Sequence, residues 1–191
     1  MKIGIVVGST RPGRVGPALA HWLCETVSGL SQAQAGLLDL ADFDLPVFDE
    51  PRHPRIGDYQ NPHTADWARA VAEFDAYVFV TPEYNHLPPS ALVNAITFLG
   101  PEWHFKPVTF LSYGGVSGGL RAVQHLKLQL LAVKAVPISE AIVVPHVSKH
   151  VTDGRFAASD TQRGAAEAVV AAFNRWTPAL STLRQTAGAA A

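Results

Sequence analysis

One cysteine, Cys24, and one methionine stand in 191 residues. A lone thiol forms no internal disulfide, so a reducing cytoplasm is the expected home. No His or Lys cluster adjoins Cys24 in sequence, which reads as a quiet structural thiol. Charge is scarce as well. Only 16% of residues are charged, the net charge is −1 and no basic run occurs, so no footprint for nucleic acid or an anionic membrane is present. No apolar run approaches the ~18 residues of a membrane span. The apolar start at residues 1–9 is too short for a signal peptide, and Arg11 and Arg14 follow where a cleavage site would stand. His53, His63, His86, His104 and His146 are scattered over different loops, without the spacing of a metal-binding helix or a Ser-His-Asp set. Neither a metal site nor a catalytic side chain is expected.

What is abundant is apolar sequence, 48% of the chain, enough for one globular domain with a substantial core. Five short apolar runs read as strands at residues 3–7, 36–40, 76–80, 107–112 and 141–144. Between them lie amphipathic stretches with helical spacing: Val15 to Leu30, a helix capped by Thr64 and marked by Trp67, Val71 and Phe74, Ala91 to Leu99, and Leu120 to Leu131. A closing helix is expected over residues 161–183. Strand and helix alternate five times, which predicts an α/β three-layer sandwich with a parallel sheet. The flavodoxin-like order 2-1-3-4-5 fits that pattern. Residues 1–185 are expected to form this single domain and residues 186–191 a frayed tail. Residues 42–62, with prolines at 46, 51, 54 and 62, read as a long loop: a lid over a site or an arm to a partner.

In that order the loops after strands 1, 3 and 4 meet at the carboxyl edge of the sheet. The first carries Ser9, Thr10, Arg11 and Arg14 among Gly8, Gly13 and Gly16, directly before a helix. Hydroxyls, guanidinium and a helix N-terminus suit a phosphate monoester. The glycines match neither the dinucleotide fingerprint nor a Walker loop. The loop after strand 3 holds Pro82, Glu83, Tyr84 and Asn85, and that after strand 4 holds Ser112, Tyr113 and the glycines 114, 115, 118 and 119. Glycine lets backbone N–H groups approach a flat polar ring closely. Each loop alone also reads as an ordinary connection: solvated arginines on a glycine turn, a strand–helix join, a turn capped by Ser117. Together they describe a phosphate at one end and a planar heterocycle between two loops, the demands of FMN.

Gly8-Ser9-Thr10-Arg11, Thr81-Pro82-Glu83-Tyr84-Asn85, and the run from Glu102-Trp103-His104 through Lys106-Pro107 to Ser112-Tyr113-Gly114-Gly115 resemble the NADPH-dependent FMN reductase family over residues 1–145. The resemblance implies a flavodoxin-like fold, bound FMN, NADPH as co-substrate, and a homodimer or homotetramer with flavin sites near the subunit interface. It implies Ser9, Arg11, Arg14 and Gly16 around the FMN phosphate. Pro82, Glu83, Tyr84 and Asn85 would bracket the ring, with Ser112, Tyr113, Gly114 and Gly115 at its other edge. Gly16 and Pro17 stand where many members carry Ser and Asn, leaving Arg14 as a substitute phosphate contact. The reaction implied is a ping-pong transfer of hydride to a small electron acceptor: free flavin, quinone, azo compound or metal oxyanion. Trp103 and the long loop are expected to shape the acceptor pocket. Arg52 and Arg55 read first as solvated arginines, with a nucleotide 2′-phosphate as the alternative partner. The rival reading is a flavodoxin-type electron carrier, against which the near-neutral charge argues.

Overall fold

A computed structural model describes residues 1–30 and 33–188. Its centre is a parallel sheet. β1 (Lys2–Val7) pairs with β2 (Gln34–Asp39) on one side and β3 (Ala76–Pro82) on the other, and β3 pairs with β4 (Pro107–Tyr113). The position beyond β4 is shared by two short segments. β5 (Val136–Pro137) pairs with the start of β4, and β6 (Ile142–Val144) with its end. The order is β2-β1-β3-β4-β5, as expected.

The split fifth position departs from the single strand expected at 141–144. Val136 and Ile138 donate to the carbonyls of Lys106 and Val108, Pro137 between them needs no ladder N–H, and the chain then leaves the sheet over residues 139–141. There the Thr109 hydroxyl donates to the Glu140 carbonyl.

Every residue of β3 and β4 is buried, because helices cover both faces. Side chains alternate across the sheet. Ile3, Ile5 and Val7 with Ala76, Val78 and Val80 face α1 (Gly16–Ser28) and α5 (Asp160–Gly188). On the other face Tyr77, Phe79 and Phe110 meet Trp67 of α2 (Pro62–Ala72), Leu92 of α3 (Ser90–Thr97) and Leu126 of α4 (Leu120–Ala132). A Cβ on Gly4 would lie 2.8 Å from the Tyr77 ring, so only glycine lets Tyr77 and Phe74 close over β1.

α2 begins two residues before Thr64, with Asn61 at its cap and Pro62 in the first turn, where a missing N–H costs nothing. Thr64 is instead a buried residue of that first turn. α5 continues past 183 to Gly188, and residues 189–191 of the expected tail lie outside the described residues. Between β6 and α5 a small antiparallel hairpin, β7 (Val151–Thr152) and β8 (Arg155–Phe156), packs Phe156 edge-on against Trp22 of α1. Asp153 and Gly154 both have positive φ at its turn. No helix among the described residues is long and apolar enough to cross a membrane.

Candidate functional site

The loops after β1, β3 and β4 do come together, and their own side chains hold them. Gly8 donates to the Val80 carbonyl at 2.9 Å, and a Cβ there would lie 2.7 Å from Leu92, so the first loop presses against α3. Ser9 is fully buried, its hydroxyl 2.7 Å from the Tyr84 hydroxyl. Arg14 donates to the Ser9 carbonyl at 2.8 Å and to Asp39 at the end of β2 at 2.6 Å. Its charge is thus spent on fixing the loop. Arg11 differs: its guanidinium lies 6.0 Å from the Tyr84 ring centre and forms no ion pair among the described residues. Beside it the N-terminus of α1 has no side-chain cap and no acidic residue in its first turn. A free cation, the exposed Thr10 hydroxyl and the positive end of the α1 dipole suit a phosphate.

β3 ends at Pro82, and the chain folds into a tight hairpin in which Tyr84 and Leu87 exchange backbone hydrogen bonds. Asn85 (φ 50°) and His86 (φ 72°) form its exposed tip in the left-handed region. Glu83 turns inward. Its carboxylate accepts from Arg121 Nε at 2.6 Å, from the Arg121 backbone N–H at 3.1 Å and from the Ser117 hydroxyl at 3.3 Å. Burial pushes this carboxyl up, but the Arg121 bonds and charge outweigh it and hold it below the usual range. The result is a clasp between the β3 loop and the start of α4.

The glycine loop is fixed from its far side. Gly114 donates to the Val144 carbonyl at 3.2 Å, while His146 and Val147 donate to the carbonyls of Gly115 and Gly114. Gly118 (φ 58°) and Gly119 (φ 83°) are required: added Cβ atoms would lie 2.6 Å from Val143 and 2.9 Å from the Tyr113 carbonyl. Gly115 is exposed with open space around it. Ser112 and Tyr113 are buried beneath the loop. The Tyr113 hydroxyl accepts the Gly16 N–H, and burial pushes its pKa far up. A side chain at Gly16 would collide with that hydroxyl at 2.8 Å.

Of the twelve residues singled out from sequence, Arg11, Tyr84, Asn85, Gly114 and Gly115 lie at or near the rim. Ser9, Arg14, Gly16, Pro82, Glu83, Ser112 and Tyr113 support it from behind. Asp39, Ser117 and Arg121 complete the arrangement and were missed, since their partners are 25 to 38 residues away in sequence. Cys24 is half-buried, and burial with the neighbouring Glu25 charge pushes its thiol up to about 11. That shift disfavours the thiolate, the reactive form of the group.

The long loop is docked. Asn94 on α3 receives the Phe48 N–H at 3.0 Å and donates to the Pro46 carbonyl at 2.6 Å, and Glu50 accepts the Gln60 and Asn61 N–H groups. Between this loop and α3 runs a cleft of about 900 Å³, lined by Leu45, Val47, Leu87, Pro88, Ala91 and Asn94, which opens beside the Tyr84 hairpin. Trp103 has no part in it: the indole is fully buried between Tyr77, Phe79 and Trp67.

The profile of the NADPH-dependent FMN reductase family matches residues 1–149. The chain belongs to that family. Membership makes it an oxidoreductase that works with FMN and NADPH. It is 36% identical over 147 residues to an NAD(P)H-dependent FMN reductase of Schizosaccharomyces pombe, covering 75% of this chain and 74% of the other. It is 30% identical over 146 residues to a quinone reductase of Escherichia coli K12, covering 73% and 74%. Among solved structures it is similar to FerB, a flavoenzyme NAD(P)H:(acceptor) oxidoreductase from Paracoccus denitrificans, with a TM-score of 0.72 and 25% identity over 93% of this chain and 97% of the other.

Proposed function

We propose that the chain is one FMN-binding domain that reduces a small oxidised acceptor (free flavin, quinone, azo compound or metal oxyanion) at the expense of NADPH. The observation that carries this is the unpaired Arg11 beside an uncapped helix N-terminus, on a rim that Ser9–Tyr84 and Glu83–Arg121 have already closed. Arg11 and the Thr10 hydroxyl take the phosphate, at the positive end of the α1 dipole. Arg14, through Ser9 and Asp39, keeps that loop in shape, and Gly16 brings α1 close enough for Tyr113 to anchor it. Tyr84, Asn85, Gly114 and Gly115 flank the ring. Pro82, Glu83, Ser112 and Tyr113 fix those two loops from beneath. Bound FMN would supply the hydride chemistry, with NADPH and acceptor served alternately in ping-pong fashion. The apolar cleft beside Tyr84 admits flat substrates and excludes water from them.

The domain works as a homodimer or homotetramer in the cytoplasm. Val93, Leu128 and Leu131 are exposed on α3 and α4, and Leu87 and Leu120 beside them, an apolar face that self-association would cover. Light scattering checks this: a purely monomeric protein would refute it.

The visible spectrum of protein mixed with FMN and freed of unbound flavin tests the main reading. A retained flavin spectrum that bleaches anaerobically on adding NADPH is expected. Retention without bleaching would make the protein an electron carrier, and absence of retained flavin would overturn the site.

A further inference from the structure

A second cavity lies at the opposite end of α3 from the Tyr84 hairpin. α3 is eight residues long, about 12 Å at the α-helical rise, and beyond it the chain reaches Leu99 and Gly100. Here the long loop arches over the ends of α3 and α4 and encloses about 580 Å³, within the size range of ligand cavities. The arch is seated firmly. A Cβ on Gly100 would lie 2.7 Å from the Pro54 carbonyl and 2.9 Å from Arg55 Cα, and the Gly100 N–H donates to the Tyr59 hydroxyl at 3.2 Å. That hydroxyl in turn donates to Glu102 at 2.6 Å.

The charge of the lining is one-sided. Arg55, His104 and Lys134 all line the cavity, and none of them forms an ion pair among the described residues. Arg52 is already held by Asp58, and the one lining carboxylate, Glu50, is engaged by the Gln60 and Asn61 N–H groups. The Phe105 N–H, bonded to the Lys134 carbonyl at 2.8 Å, brings His104 and Lys134 side by side. Burial and then the Lys134 charge lower the His104 pKa, with Glu102 opposing. Lys134 also meets the negative end of α4, which accounts for that cation but not for Arg55. Phe48, Leu99 and Val133 supply apolar walls. Two unpaired cations at the mouth, Arg55 and Lys134, with the His104 imidazole beside them and an apolar wall behind, describe a site for an anion with a flat apolar body.

We propose that this cavity binds an aromatic carboxylate, its ring against Phe48, Leu99 and Val133 and its carboxylate among Arg55, His104 and Lys134. The site is separate from the flavin rim, and nothing in it depends on the reductase reading.

The test is an NMR titration of the His104 imidazole in FMN-loaded protein, with 2-naphthoate and with the neutral 2-naphthalenemethanol. Naphthoate is expected to raise the His104 midpoint by about one unit, because a nearby carboxylate favours the imidazolium. Arg55→Gln and Lys134→Gly should each weaken naphthoate binding about tenfold. Lys134 has φ 57°, so glycine removes the charge there without straining the backbone. An unmoved His104 at saturating naphthoate would overturn the proposal. So would equal affinity for the neutral alcohol, or unchanged affinity in both variants. If the protein retains no flavin, the same titration on flavin-free protein gives the answer, and the two readings fail independently.

Discussion

At the scale of single residues, two arginines three positions apart in one loop have different tasks. Arg14 is neutralised by Asp39, whereas Arg11 is exposed and unpaired. Replacing Arg11 by Ala should therefore weaken FMN retention by ~1.5–3 kcal/mol, the range for a hydrogen bond to a charged group, while leaving the melting temperature unchanged. A fluorescence titration with FMN measures this, and unaltered flavin content would refute the assigned role. Lys106 gives a second prediction. Its ammonium is buried, 3.1 Å from the Tyr77 hydroxyl, and burial, reinforced by Arg184 and opposed by Asp75 and Glu102, lowers its pKa from 10.5 to about 8. Between those values the unfolded chain binds more protons than the folded one, so stability rises with pH across that window, by at most about 3 kcal/mol. Above pH ~10 the trend reverses, because Tyr59 and Tyr77, pushed up by burial, ionise only in the unfolded chain. Chemical denaturation at a series of pH values should show the rise in the native protein and its loss in Lys106→Met.

At the scale of elements, the strands were legible because a sheet buried on both faces writes apolar runs such as Tyr77-Val78-Phe79-Val80 into the sequence. The split of the fifth position was not, since the polar Ser139-Glu140 step between two apolar stretches does not say that both pair with the same strand. The β7–β8 hairpin carried a readable signal in Asp153-Gly154, a dipeptide suited to two positive φ values. The three loops were legible from their glycines and polar residues. Their supports were not: whether Glu83 faces a ring or Arg121 depends on tertiary placement across 38 residues. Trp103 misled for the same reason, its motif neighbours lying in a loop while its indole fills the core. The loop before α4 yields a prediction of its own. Gly119→Ala places a Cβ against the Tyr113 carbonyl at φ 83° and should cost about 1–3 kcal/mol, a fall of several degrees in melting temperature. Gly115→Ala, in open space, should melt as the native protein does.

At the scale of the whole molecule, two cores share one sheet, so neither is expected to melt alone. Trp103 donates to the Ile96 carbonyl at 3.3 Å and packs against Tyr77 and Phe79 at the centre of the α2–α4 face. Trp103→Ala should cost ~3–5 kcal/mol. Circular dichroism and near-ultraviolet signals should still fall in one coincident urea transition. Separate midpoints for the two signals would show that the faces unfold independently.

The broken fifth position also determines how copies of this chain can meet. An uninterrupted outer strand presents a row of free N–H and C=O groups on which a second sheet can grow. Here that margin is a two-residue step, a departure from the sheet after Ile138, and a three-residue step. Fibril-like stacking finds no continuous template along it, so growth by strand addition is confined to the β2 margin, and assembly on the other side must proceed through helices.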